Sequence, residues 1–153
     1  MSAIENRTAV IIEDDETSIK VLERFLSQLR VQSVVIRDSL EAVKQLQQVQ
    51  NPDVIFLDLE MPRSNGYAVL ELIRDMAGLD GVPIVAYTTH ISHLNEAKRA
   101  GFHSFLGKPL DAGFKLISPA NEPGENIHLV KVLTTKKISQ TWNSTFKVIK
   151  GRK

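Results

Sequence analysis

Four places in this 153-residue chain hold side chains whose chemistry is out of keeping with their neighbours. Glu13, Asp14 and Asp15 follow directly on the apolar run TAVII (8–12). Asp58 ends the run that begins DVIFL, with Glu60 two positions on and a Met-Pro step behind it. Thr88 and Thr89 close PIVAY, and Lys108 follows SFLG and precedes Pro109. Each time, an apolar stretch that ought to be buried stops on a polar or charged group, and a charge is costly to bury alone. Acids, hydroxyls and one lysine are the components of a site that holds a hard cation and handles an anion, provided the fold brings them together.

Whether they meet depends on the elements between them. TAVII is too short for a helix and rich in β-branched residues, which predicts a buried strand. ETSIKVLERFLSQLR then places Ile19, Leu22, Phe25, Leu26 and Leu29 at helical spacing, with Asp15 leading into the helix. SVVIR (33–37) predicts a second strand. Ser39 predicts the cap of a helix carrying Leu40, Val43, Leu46 and Val49, which stops before Asn51-Pro52. DVIFL is the third strand, and a third helix from about Gly66 carries Tyr67, Leu70, Ile73 and Arg74. PIVAYT (83–88) is the fourth strand. A helix runs from Ser92 to Gly101, a natural residue just past a helix end, and SFLG (104–107) is the fifth strand. Apolar strands alternating with helices predict an α/β fold: a doubly wound parallel sheet between two helix layers, joined by right-handed crossovers.

In such sheets ligands bind at the carboxyl ends of the strands, where all four polar groups fall. A flavodoxin-like strand order 2-1-3-4-5 sets strands one and three side by side, about 5 Å apart. Their terminal carboxylates then face one another, and their mutual repulsion raises their proton affinity unless a cation intervenes. An all-oxygen anionic set suits Mg²⁺. On the other flank of Asp58, Thr88 offers a hydroxyl and Lys108 a positive charge. Metal on one side and donors on the other stabilise a phosphoryl group in transit, and the central Asp58 is the natural nucleophile, forming an aspartyl-phosphate.

VIIEDDE, DVIFLDLEMPRSNGY, PIVAYTT and FLGKP, in that order and spacing, resemble the receiver domain of two-component response regulators, a chemotaxis-regulator-like fold, over residues 8 to 110. The resemblance implies that Asp58 is the phosphoacceptor and that Glu13 and Asp14 are the acid pair, Asp14 touching Mg²⁺ and Glu13 acting mainly through water. It implies that the Glu60 carbonyl is a further metal ligand, Thr88 the switch hydroxyl, Lys108 the phosphate-binding lysine, and Phe105 the aromatic that swings between outward and inward positions. Pro109 fits the family's Lys-Pro bond. The implied partners are a histidine kinase or histidine phosphotransfer protein upstream and a protein target downstream, in a cytoplasmic phosphorelay rather than as a classical enzyme. Thr89 departs from the small residue usual there, and Glu60 and His90 occupy the variable positions flanking the site.

The remainder bounds the reading. There is no cysteine, hence no disulfide or thiolate chemistry, and the N-terminus lacks the long apolar region of a signal peptide. No segment approaches the ~20 apolar residues that span a bilayer. Residues 1–110 carry 11 Lys/Arg against 15 Asp/Glu, and residues 111–153 carry 8 against 3. This break sets a receiver domain over 1–118 apart from a basic tail over 119–153. Leu110, Phe114 and Ile117 have helical spacing, but Gly113 weakens that helix and Pro119 stops it. IHLVKVL and TFKVIK alternate as strands do, so the tail reads as a β-hairpin or a dimerising segment in place of a regular fifth helix, with a homodimer as one outcome. Trp142 and Phe146 could stack on bases, though no nucleic-acid motif supports this. His90, His93, His103 and His128 lack metal spacing and read as surface residues. Rival readings are a degenerate receiver serving as an interaction module, and a Mg²⁺-dependent phosphohydrolase with Glu60 as its second acid.

Overall fold

The structure is a computed structural model, and it describes residues 7–62, 64–89, 92 and 94–108. The tail, Pro109, the expected fifth helix, His90, His93 and His128 lie outside the described residues. The chain runs β1 (Arg7–Ile12), α1 (Glu16–Gln28), β2 (Val31–Ile36), α2 (Ala42–Leu46), β3 (Val54–Asp58), β4 (Glu60–Met61), β5 (Ser64–Asn65), α3 (Gly66–Ile73), β6 (Ile84–Thr88), α4 (Leu94–Ala100) and β7 (Ser104–Gly107). Five strands form one parallel sheet ordered β2-β1-β3-β6-β7, which is 2-1-3-4-5 when counted along the sheet-forming strands.

The apolar runs form central strands because both faces of the sheet are covered. Val10, Ile12, Ile55, Leu57 and Ala86 pack toward Ala42 and Leu46 of α2, Val69, Leu70 and Ile73 of α3 and Ala97 of α4. The alternate residues Ala9, Ile11, Val54, Phe56 and Val85 pack with Leu22, Phe25, Leu26 and Leu29 of the α1 region. β2 is the exception to burial on both faces: it lies at the edge of the sheet, and Val34 is exposed there.

Helix boundaries follow local chemistry. Asp15 caps α1, its carboxylate accepting the Ser18 N–H at 2.8 Å. Gly101, with φ 111°, ends α4 and lets the Phe102 N–H reach back to the Ala97 carbonyl at 3.2 Å. The second helix differs from expectation. Asp38, not Ser39, supplies the cap by accepting the Leu40 N–H, and a 3₁₀ turn over Ser39–Glu41 precedes a short α2. That turn rotates Leu40 out of the core, leaving it exposed.

At the amino ends of the strands, side chains tie neighbours together. The Thr8 N–H donates to Asp53 Oδ2 and the Asp53 N–H to the Thr8 carbonyl, both at 2.8 Å. The Ile84 N–H donates to His103 Nδ1 at 3.0 Å and the His103 N–H to the Ile84 carbonyl at 2.8 Å. His103, expected at the surface, is therefore half-buried and structural. Burial, with the Arg74 charge adding to it, holds its imidazole below the ordinary range and favours the neutral ring that such a bond requires.

Candidate functional site

The register decides what meets at the carboxyl ends. Ile12 pairs with Leu57, Asp58 with Tyr87, and Thr88 with Gly107. Glu13, Asp58 and Lys108 thereby leave the ends of β1, β3 and β7 at one level. Glu13, Asp14 and Asp58 each offer a carboxylate oxygen, and these atoms lie within 4.8 Å of one another. Glu13 and Asp58 are buried and Asp14 is exposed.

Lys108 answers the buried charge. Its Nζ lies 2.6 Å from Glu13 Oε1 and 3.6 Å from Asp58 Oδ2, with the lysine side chain only 9% exposed. The other Glu13 oxygen accepts the Asp15 N–H at 3.0 Å, and Asp58 Oδ1 accepts the Glu60 N–H at 3.1 Å. Burial nevertheless pushes the Asp58 carboxyl up to about 7. The Glu60 N–H pulls it back, Glu13 pushes it up again and Lys108 pulls it down. One cation among three carboxylates leaves the cleft short of positive charge.

The turn after β3 fixes the direction of Asp58. Glu60–Met61 and Ser64–Asn65 form a two-residue antiparallel ladder, an element unforeseen in the sequence. The Gly66 N–H closes it on the Leu59 carbonyl at 2.9 Å. A Cβ at Gly66 would stand 2.5 Å from the Asp58 carbonyl oxygen and 2.8 Å from the Leu59 Cα, so only glycine permits this approach.

The other expected residues divide. Thr88 is fully buried at the end of β6, and its carbonyl accepts the Lys108 N–H at 2.8 Å. Phe105 lies inward, 1% exposed, in the core that includes Ala86, Ala97 and Phe102. The Glu60 side chain is exposed and Thr89 is exposed. Tyr87 had no role beyond its strand, yet its ring lies 4.8 Å from Lys108 Nζ and its hydroxyl donates to the Ser18 carbonyl at 3.0 Å. The available signal was an aromatic residue directly before the polar end of a core strand.

Three clustered carboxylates, all oxygen and with one facing solvent, fit a divalent cation by donor chemistry. Asp14 also borders an open cavity of about 220 Å³ lined by Arg37, Asp38, Ser39, Met61 and Pro62. Among the described residues no helix is long and apolar enough to cross a membrane.

Residues 9–116 match the family described as response regulator receiver domain. The chain is 36% identical over 108 residues to hybrid signal transduction histidine kinase C of Dictyostelium discoideum, covering 65% of this chain and 9% of that protein. A receiver domain from Methylobacillus flagellatus superposes with a TM-score of 0.62 at 23% identity, covering 69% of this chain and 89% of that one. The Mn²⁺-bound form of response regulator Rcp1 superposes with a TM-score of 0.58 at 21% identity, covering 84% and 89%. The chain spans less than half the length of the curated relatives it matches. It belongs to the response regulator receiver domain family, whose members are phosphoacceptor switches of two-component signalling rather than classical enzymes.

Proposed function

We propose that this receiver takes a phosphoryl group on Asp58 from a histidine kinase or histidine phosphotransfer protein and thereby changes its binding to a downstream protein. One observation carries the reading: Asp58 clusters with the Glu13 and Asp14 carboxylates and lies 3.6 Å from the Lys108 ammonium. That arrangement offers a nucleophile, a cation site and an anion partner around one point.

In this reading Asp58 attacks phosphorus in line with the donor's P–N bond. The phosphoryl moves to the carboxylate oxygen and the P–N electron pair leaves with the donor imidazole. Asp14, Asp58 and the Glu60 carbonyl would hold Mg²⁺, which would supply charge neutralisation for the phosphoryl oxygens. Glu13 acts through water, a role supported by the engagement of both its oxygens with Lys108 and the Asp15 N–H. The Mn²⁺-bound relative supports a divalent ion in this fold. Lys108 turns from the carboxylates to a phosphoryl oxygen, and the Thr88 hydroxyl supplies a second donor. Phe105 already lies inward, so the shift of Thr88 is what alters the surface presented by α4 and β7. Moving such an equilibrium from mostly off to mostly on needs roughly 5 kcal/mol of differential stabilisation.

Intact-mass measurement after incubation with acetyl phosphate and Mg²⁺ tests this directly. One added phosphoryl group is expected, absent from Asp58→Asn and absent with EDTA. If folded wild-type protein shows neither the adduct nor beryllofluoride binding, the phosphoacceptor reading fails and the degenerate receiver stands.

A further inference from the structure

The contacts around Lys108 close into a ring. Lys108 Nζ bonds Glu13 Oε1; Glu13 Oε2 accepts the Asp15 N–H; Asp15 Oδ2 accepts the Ser18 N–H and hydroxyl, both at 2.8 Å. The Ser18 carbonyl accepts the Tyr87 hydroxyl, and the Tyr87 ring returns to Lys108. Lysine is a compact charge on a four-carbon stem, and holding it at one point costs rotamer freedom. Its carboxylate partners do not fix it for phosphoryl transfer, because the proposed reaction takes it away from them. Tyr87 can stay in place throughout. Its ring is buried, its backbone is held in register with Asp58, and its hydroxyl is anchored to the first turn of α1. Burial and the neighbouring Glu13, Asp58 and Asp15 charges hold that hydroxyl above its ordinary range, so it remains a donor.

We infer that Tyr87 is a positioning residue for phosphoryl transfer: its π face, clamped to α1 through the Ser18 carbonyl, holds the Lys108 ammonium beside Asp58 when the carboxylates release it. The inference rests on the phosphoacceptor reading and adds a residue to its machinery. A cation over a buried aromatic face is attracted by the ring's negative quadrupole, which gives the role a chemical signature distinct from packing.

The test is graded fluorination at position 87, which drains the ring's negative face while nearly preserving its shape. Wild-type Tyr87 is the reference, followed by its monofluoro-, difluoro- and trifluorotyrosine forms, which keep the hydroxyl that bonds the Ser18 carbonyl. Beryllofluoride affinity at saturating Mg²⁺ is expected to fall stepwise by about threefold to tenfold in total. Mg²⁺ affinity should not fall, because the Tyr87 ring acts on the carboxylates through Lys108, and a looser lysine frees Glu13 and Asp58 for the ion. A flat beryllofluoride response, or parallel loss of both affinities, overturns the role. A second readout is independent of phosphoryl chemistry: the rate at which Lys108 is acetylated by acetic anhydride at saturating Mg²⁺, where the ion competes for the carboxylates that otherwise hold the lysine, read by peptide mass. It should rise along the same series, and a constant rate overturns the clamp. If wild-type protein binds no beryllofluoride and takes no phosphoryl group, the phosphoacceptor reading falls, while the acetylation series still decides whether the ring restrains Lys108.

Discussion

The two ends of the same sheet satisfy polar groups in opposite ways. At the amino ends, side chains terminate on backbone: Asp53 on the Thr8 N–H, His103 on the Ile84 N–H, and Arg74 Nη1 on the Ala100 carbonyl at 2.9 Å. At the carboxyl ends, charged side chains terminate largely on one another, with Lys108 shared between Glu13 and Asp58. A side chain fixed to backbone has one low-energy arrangement and contributes to stability. A side chain fixed to another ionisable group can be exchanged for a ligand. The fold thus keeps its conflict at one edge, where local inconsistency commonly marks function.

This contrast can be broken at either end. The largest expected effect is Gly66→Ala, which forces a Cβ onto the Asp58 carbonyl. A loss of about 2–3 kcal/mol in urea unfolding, together with loss of the phosphoryl adduct, is expected. Unchanged stability would show that the turn yields. Next is the pH response of Asp58. Its carboxyl is raised from 3.8 to about 7, so the folded state binds the extra proton. Cation-free stability from this group therefore falls as pH rises from about 4 to 7, and proton loss favours cation binding. Thermal melts at pH 8 in EDTA should show Asp58→Asn about 2 kcal/mol more stable than wild type, after discounting for solvent access, and added Mg²⁺ should narrow the gap.

At the amino ends the signs reverse. Asp53→Ala strands the Thr8 N–H and should cost about 1 kcal/mol in chemical denaturation while leaving the phosphoryl adduct intact. The smallest effect belongs to His103. Its folded value lies below 6.5, so its stabilisation is present above pH 6.5 and is lost as pH falls through the folded value. His103→Asn keeps an acceptor for Ile84 without the titration. It should flatten the acid limb of stability by about 0.5 kcal/mol, read by melts between pH 7 and 5.

The carboxyl end was the more legible of the two. Glu13, Asp14, Asp58 and Lys108 could be placed because each follows an apolar run, and strand order alone then brings the runs into register. The amino-end ties were hidden because their partners are backbone atoms of distant strands. His103 reads as a solvated histidine until Ile84 lies beside it, and Asp53 reads as part of a turn. Tyr87 reads as core because ring and hydroxyl serve two neighbours that only the fold supplies. The short α2 escaped because Asp38 and Ser39 are both good caps, and a one-residue change of cap decides which way Leu40 faces.

The amino-end ties also differ in the length of chain that each must close. The Ile84–His103 tie closes a loop across 19 positions and the Thr8–Asp53 tie one across 45. Loop closure grows costlier with the logarithm of length, a difference of about 0.8 kcal/mol between these two. The loop through β6–α4–β7 is therefore the less costly of the two to close, and the pairing of β1 with β3, which sets Glu13 beside Asp58, is the costlier.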